Sequence, residues 1–557
     1  MIPPHLLPVM VAQLVAPPLQ PGPVRLPAPA PMERPAPEVS PPPLDRESQP
    51  PGEPPASPSM PAPAVKGFLP YTPATLAKIL APCQGLVEPE ARLQACAAAL
   101  TTQLFNDGYI NSRVVPQVDP APGVLVVQPG RIERIDVVSS SPALQRRIDR
   151  LTQPLKGTVL RLPTLSAALS QLQRLPGVGR LRSSLNRVAR DSTRAVLLIT
   201  VEPGGRPLRG EISLRNDGNA GSGQFRALGT LVKEGVARRG DTLLLFGEVD
   251  TDSQPQLGYS SASLSYSLPL VDQLTFTAAT GLSRRNLVEI APPLNDLSFR
   301  QQQLYGQFEI TFQESLRQRW YGFAGLSLNR NDAFLGGDRV AVLRGGGEEG
   351  WVRTAFARLG VGYELQGQTL LLGASVYGLQ GIDALTPQAQ LQELDFLGIS
   401  VGESRAIGAQ FSTSWRLGRR VLVDVRGAGQ LALAPLTEPM GFSLGSDNGL
   451  RGLPGQVISG DSGLLGSVEL SWSVWQQRNQ EFQLVPFLGA GKVWTDALGL
   501  ELTDSIGAGG VLLRWLAGNR TTVELGWVEQ FGGATPGSWN DDWLLGSGFY
   551  SRVAYRF

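Results

Sequence analysis

From about Pro207 to Phe557 the chain alternates polar and apolar positions in period two. The segments run for roughly ten residues and are separated by clusters of Gly, Asn, Asp and Pro. In Val468-Glu469-Leu470-Ser471-Trp472-Ser473-Val474 the apolar side chains share one parity and the polar ones the other. Ala262, Leu264, Tyr266 and Leu268 alternate with serines, and Val421, Val423 and Val425 alternate with Asp424 and Arg426. Val553, Tyr555 and Phe557 continue the pattern to the last residue. Period two excludes helix, because a helix places every third or fourth residue on one face.

A soluble sandwich also alternates, so three further observations choose between it and a closed barrel. About sixteen such segments are present, an even number of a length that spans a bilayer when tilted. Short turns such as 417–419 and 516–519 alternate with long connections such as 379–403 and 433–463, as periplasmic turns and external loops do. All ten Trp follow residue 319, and Trp320, Trp472, Trp494 and Trp527 fall within or at the ends of segments, where aromatic girdles sit. The polar parity carries Asp424, Arg426, Glu469 and Glu524, which a dry core would penalise but a wet lumen tolerates. The expected architecture is an all-β transmembrane barrel of about 16 antiparallel strands over 206–557. Composition agrees: no apolar run reaches the roughly 18 residues of a spanning helix, and charged residues are 17%. A formal net charge of +1 without a basic block gives nucleic acid nothing to bind.

Ahead of the barrel lie three stretches. Nearly half of the 46 prolines precede Val65, so residues 1–66 read as an extended tether. Its piece Leu6–Val15 reads as a signal remnant. Residues 67–131 and 132–205 each read as two helices on a small sheet. In the first, Leu93, Ala97, Leu100 and Leu104 form a helical stripe that Gly108 ends. In the second, Leu165, Leu169, Leu172 and Leu175 do the same before Pro176-Gly177. Cys83 and Cys96 are the only cysteines. In an exported chain the expectation is a disulfide between the two helices of the first unit, with a pair of small core residues as the alternative.

Strings that look like chemistry lose their force on inspection. Gly460-Asp461-Ser462-Gly463 and Gly441-Phe442-Ser443-Leu444-Gly445 resemble serine-nucleophile segments, but the single histidine, His5, lies in the tether. Gly489-Ala490-Gly491-Lys492 lacks the spacing and the hydroxyl of a phosphate loop. No catalytic, cofactor or metal constellation is expected.

The order of parts resembles the TpsB transporters of two-partner secretion, the outer-membrane partners of filamentous haemagglutinin and secreted haemolysins. Gly108-Tyr109-Ile110-Asn111-Ser112-Arg113-Val114 resembles a segment of the family's first POTRA domain. Pro129-Gly130-Arg131-Ile132-Glu133-Arg134-Ile135 resembles its junction between the two POTRA domains, and Leu175-Pro176-Gly177-Val178 a segment of the second. Leu450-Arg451-Gly452-Leu453, in the 433–463 loop, resembles the tetrad of a gating loop, with Leu453 in place of the usual aromatic. The family's F-x-D-x-G motif reads Phe487-Leu488-Gly489-Ala490-Gly491 here, so the acid that holds the tetrad arginine is missing. One of Glu469 and Glu524, which share lumen parity, is the expected substitute. The resemblance implies a periplasmic pair of POTRA domains and an outer-membrane pore, with a short plug as the alternative reading of Leu6–Val15. Its partners would be a secreted TpsA-like exoprotein that is threaded without ATP, the lipid bilayer with its lipopolysaccharide, and the barrel-assembly machinery that reads the terminal Phe557. The edge of Leu181–Leu185 is a candidate for capturing substrate by strand addition. The alternative is a Bam-type assembly factor on the same fold.

Overall fold

The computed structural model describes residues 63–557 except 86–87, 120–122, 174, 176, 189–190, 205–207, 220, 239, 272, 290–293, 316, 368, 498–499, 519 and 533–542. Leu6–Val15 and Pro176, singled out above, lie outside the described residues. The chain divides into two compact units, one of which holds the small α/β sheets and the other the barrel.

The first sheet contains β1 (Ala64–Gly67), β2 (Arg113–Gln117) and β3 (Val124–Gln128) in the order β1-β3-β2. β1 runs parallel to β3. This strand falls in the stretch that reads as tether from sequence. Four residues directly after the prolines carry too little periodicity to read as a strand; pairing with β3 makes them one. Two helices cover the sheet, α1 (Pro73–Leu80) and α2 (Pro89–Asn106). Thr72 caps α1, its hydroxyl accepting from Thr75 N at 3.3 Å, and Pro73 supplies a ready φ for the first turn. Leu93, Cys96, Ala97, Leu100 and Leu104 of α2 are buried against Leu125 and Val127 of β3. Gly108, at φ +90, ends that helix in the left-handed region. Cys83, in the short turn after α1, is disulfide-bonded to Cys96 of α2.

The second sheet repeats the plan. β4 (Arg131–Ser139), α3 (Pro142–Thr152), α4 (Leu162–Gln173), β5 (Val178–Val188) and β6 (Asp191–Pro203) give the order β4-β6-β5, with β4 parallel to β6. Among the described residues β5 pairs only with β6, so Leu181–Leu185 lies on a sheet edge.

Sixteen antiparallel strands then close into a barrel. They are β7 (Arg209–Arg215), β8 (Phe225–Glu234), β9 (Thr242–Thr251), β10 (Leu257–Val271), β11 (Leu274–Asn286) and β12 (Leu297–Glu314). Next come β13 (Gln318–Leu335), β14 (Trp351–Gln366), β15 (Leu370–Gly381), β16 (Arg405–Leu417) and β17 (Val421–Ala432). The last are β18 (Ser462–Gln477), β19 (Gln480–Ala497), β20 (Leu500–Ala517), β21 (Thr521–Gly532) and β22 (Phe549–Arg556). Several run longer than the alternation indicates, because their ends rise above the apolar belt and carry polar residues on both faces. The barrel closes where Glu211–Arg215 pairs with Arg552–Arg556. Gly210 and Phe557 extend that seam by exchanging two backbone hydrogen bonds of 3.0 Å.

Alternation becomes inside and outside. Leu264, Leu304, Leu359, Val376, Ile407, Val468 and Leu525 are exposed on the outer face. In water so large an apolar belt would aggregate; in a bilayer it is the solvated surface. Short turns lie at the end carrying Gly210 and Phe557, and long loops lie at the other. An aromatic belt marks the short-turn end: Trp320 lies 4.5 Å from Tyr363, and Trp475, Phe482 and Trp515 follow one another at 5.6 and 6.2 Å. Among the described residues no helix is long and apolar enough to cross a membrane. The strands do the crossing.

Candidate functional site

The connection 433–461 between β17 and β18 folds onto the inner wall of the barrel. A short hairpin, Phe442–Leu444 paired with Ile458–Gly460, forms its stem. The tip turns through Gly449, at φ +101, into Leu450-Arg451-Gly452-Leu453. Leu450 and Leu453 are fully buried, in one cluster with Val485, Phe487, Ala508, Leu512, Val528 and Tyr550 of β19 to β22. Gly452 sits at φ +85, and a Cβ on it would lie 2.4 Å from Val528 Cγ1. Only glycine satisfies both the backbone and the wall at this position.

Between the two leucines Arg451 reaches two acids. Its Nε lies 2.9 Å from Glu469 of β18, and its Nη1 donates to Glu524 of β21 at 2.8 Å. Arg514 of β20 bridges the same two carboxylates, at 2.5 Å to Glu469 and 2.6 Å to Glu524. Two guanidinium groups and two carboxylates therefore form a closed quartet, with the Tyr550 ring 5.8 Å from Arg451. Glu524 is 1% exposed, a burial that an unpaired carboxylate would not tolerate. Arg514 escaped the sequence reading. Its signal was parity: Leu513 and Trp515 point outward, so Arg514 points in, directly opposite Glu524.

The position of the missing acid has a physical explanation. Gly489 faces the loop, and a Cβ there would lie 3.1 Å from Leu450 Cδ2. Two residues on, a Cβ on Gly491 would lie 2.6 Å from Leu444 Cδ2. The loop packs its leucines on a glycine surface of β19, and the charge that holds Arg451 comes from neighbouring strands.

A second contact has the opposite polarity. Asp447, four residues before Arg451, accepts from Arg226 of β8 at 2.6 Å. Arg226 is buried and also lies 2.5 Å from Glu248 of β9. Asn219, in the connection after β7, donates to Asp250 from its backbone at 2.8 Å and its side chain at 2.7 Å. Gly455 N donates to Gly218 O at 3.0 Å, which ties the descending arm of the loop to that same connection. The loop is therefore held by its arginine on β18–β21 and by its aspartate on β8.

The serines of the two nucleophile-like strings have structural partners. Ser462 Oγ accepts from Ala432 N at 2.9 Å, and Ser443 Oγ accepts from Asn448 Nδ2 at 2.7 Å. Among the described residues no group of His, Cys, Asp and Glu is placed to hold a metal ion.

The motif residues of the α/β units lie at the joint between them. A Cβ on Gly108 would lie 2.7 Å from Pro163 Cδ, and Gly108 O accepts from Leu162 N at 2.8 Å. Tyr109 packs against Phe68, with Arg161 above its ring. Asn111 Nδ2 donates to Thr193 O at 2.8 Å, and Gly130 N donates to Ser112 Oγ at 2.9 Å. A Cβ on Gly130 would collide with the Asn111 side chain. Arg131 donates to Gly157 O at 2.7 Å, Arg113 to Ser112 O at 2.9 Å, and Glu133 lies 3.7 Å from Arg194. Pro129 precedes this joint at the end of β3.

Residues 194–511 match the family described as haemolysin secretion/activation protein ShlB/FhaC/HecB. The chain belongs to that family. Its members are outer-membrane transporters of two-partner secretion, with a β-barrel in the membrane and POTRA domains in the periplasm. Among solved structures, CdiB from Escherichia coli is similar with a TM-score of 0.56 and 18% identity, over 91% of this chain and 93% of that one. CdiB from Acinetobacter baumannii is similar with a TM-score of 0.50 and 16% identity, over 89% and 88%. At these identities the likeness is one of fold. No curated protein matches the chain. In this transporter the long loops face outward from the cell and Phe557 lies at the periplasmic rim.

Proposed function

We propose that this transporter exports one large exoprotein of the haemolysin or haemagglutinin type, without ATP, and that the 433–461 loop is its gate. The observation carrying this reading is Arg451 bound to Glu469 and Glu524 on the inner wall. The loop can be released where its anchor meets the lumen, because Arg451 and Glu469 remain partly exposed and a passing polar chain can replace their partners. The hypothesis for entry is that the substrate's N-terminal secretion domain adds an extended segment to the free edge of β5 at Leu181–Leu185. The chain then threads the lumen, and folding outside supplies the direction.

The test is secretion by Arg451→Ala in cells that also express the partner. Export should fall at least tenfold, about 1.4 kcal/mol in the limiting step, with barrel insertion unchanged as read by heat-modifiable gel mobility. Normal export by an inserted variant would remove the loop from the mechanism. A family of client barrels depleted from the membrane instead would favour the assembly-factor reading.

A further inference from the structure

Near the outer rim, β11 to β14 turn arginines toward the lipid. On β11 Leu282 and Arg284 are exposed while Ser283 and Arg285 are buried. On β12 Arg300, Gln302 and Leu304 are exposed while Phe299, Gln301 and Gln303 are buried. Gln302 stands opposite Arg330 of β13, and Arg330 stands opposite Arg353 of β14, so both arginines share that outward face. The register sets Arg284 directly opposite Arg300, and Arg330 directly opposite Arg353. Like charges in direct cross-strand register repel. Two such pairs side by side call for an anion.

The protein supplies little of one. Asp332 of β13 stands directly opposite Arg300 on this face, but its carboxylate is engaged by Arg330 at 3.0 Å and by Arg339 at 3.2 Å rather than by Arg300. Arg284 donates to the neutral side chain of Asn286 at 3.1 Å. Among the described residues no carboxylate lies within ion-pair distance of Arg284, Arg300 or Arg353. The guanidinium of Arg300 lies 4.6 Å from the Phe334 ring, and that of Arg330 lies 4.4 Å from Trp351. Stacking of this kind holds a guanidinium flat. Arg330 spends its Nε and Nη2 edge on Asp332, whereas among the described residues no carboxylate takes up the edges of Arg300. In the lumen, by contrast, Arg451, Arg514 and Arg226 each meet carboxylates.

Position supplies the rest. The exposed leucines 282, 304, 326 and 359 lie on the same four strands, one to three outward-facing positions nearer the membrane centre. Arg284, Arg300 and Arg353 lie within three residues of their strands' outer ends. The arginines therefore stand where hydrocarbon gives way to head groups, on the leaflet that faces outward. We propose that this patch is a binding site for the phosphate groups of the outer-leaflet glycolipid, lipopolysaccharide. The guanidinium forks match phosphate oxygens in pairs, and the leucines beneath accept the acyl chains. A free phosphate from solution would have no use for the lipid-facing parity.

The test loads the full-length transporter, in detergent, with purified lipopolysaccharide, enzymatically dephosphorylated lipopolysaccharide or phosphatidylglycerol, and reads retained lipid by native mass spectrometry. Arg284→Gln with Arg300→Gln should weaken lipopolysaccharide retention about tenfold or more, since each interfacial arginine contributes a factor of about five. Arg353→Gln alone should give a smaller loss, and it keeps the test open if the double variant does not insert. Wild-type protein should lose the dephosphorylated lipid to a similar degree. Retention at wild-type level by the inserted variants, or equal binding of the dephosphorylated lipid, would overturn the site. Equal binding of phosphatidylglycerol would overturn its assignment to the glycolipid.

Discussion

Gly489 is where a single atom decides the arrangement. A Cβ at this position would press on Leu450 at 3.1 Å, closer than such contacts normally come. Restoring an acid with Gly489→Asp should therefore loosen the loop rather than strengthen its hold on Arg451. The expected outcome is a higher open-channel probability in planar bilayers, reversed when Leu450→Ala makes room. If Gly489→Asp alone closes the channel further, the crowding explanation is wrong. The quartet obeys the same local logic. Arg451 and Arg514 share both Glu469 and Glu524, so removing either arginine leaves Glu469 one partner and leaves Glu524 the other arginine and the more distant Arg552. Double-mutant cycles of Arg451 with Glu469 and with Glu524 should each show coupling of about 1–3 kcal/mol in loop release, because residues in one ion-pair network are not additive. Additivity in both cycles would mean that the pairs contribute nothing to holding the loop.

At the scale of the element, the turn 235–241 between β8 and β9 shows how a short periplasmic connection is fixed. The Asp241 carboxylate accepts from the backbone N–H groups of Val236, Ala237 and Arg238 at 2.7 to 2.8 Å, and from the Tyr266 hydroxyl. Burial alone would raise its pKa. The tyrosine and the three amides outweigh burial and bring it down to about 2. The unfolded value is near 4. A folded pKa below the unfolded one contributes stability that is complete above pH 4 and fades as pH falls toward 2. Asp241→Asn should destabilise the barrel by about 2 kcal/mol at neutral pH, since a charged acceptor of several donors is lost. Urea unfolding in lipid vesicles should show the gap from wild type narrowing between pH 4 and pH 2. A gap that stays constant over that range would show that the carboxylate charge is not what fixes the turn.

At the scale of the whole molecule, the 433–461 loop is held at two places along one continuous arc of the wall, which runs from β18 through the closing seam to β8. Arg451 is held by acids on β18 and β21, and Asp447 by Arg226 on β8. Near the seam Arg552 and Arg556 both bind Glu211, at 2.8 and 2.7 Å, and Arg552 lies 3.7 Å from Glu524. Ion pairs thus continue from the loop's anchor to the closing strands. Asp447→Asn should raise resting conductance while leaving the Arg451 anchor in place, and Asp447→Asn with Arg451→Ala should open the channel more than either alone. No change in conductance for Asp447→Asn would leave the Arg226 contact without a part in gating.

The alternation of residues 206–557 by itself determined the barrel. Inside and outside follow from parity alone, strand number from the count of segments, and sidedness from the lengths of the connections. The periodicity of Leu93 to Leu104 and of Leu165 to Leu172 likewise determined the helices of the two α/β units. Parity brought Glu469 and Glu524 to the lumen side as candidates, because each is a property of its own strand. The tertiary structure decided what depends on register between distant strands. It set Arg514 opposite Glu524, brought Arg226 across 221 positions of sequence to Asp447, and turned four residues after the prolines into a strand. It also aligned Arg284 with Arg300 on the outer face. A strand's alternation is local and can be read along the chain, whereas its neighbour's register is fixed only when the sheet closes and each side chain meets a partner the sequence holds far away.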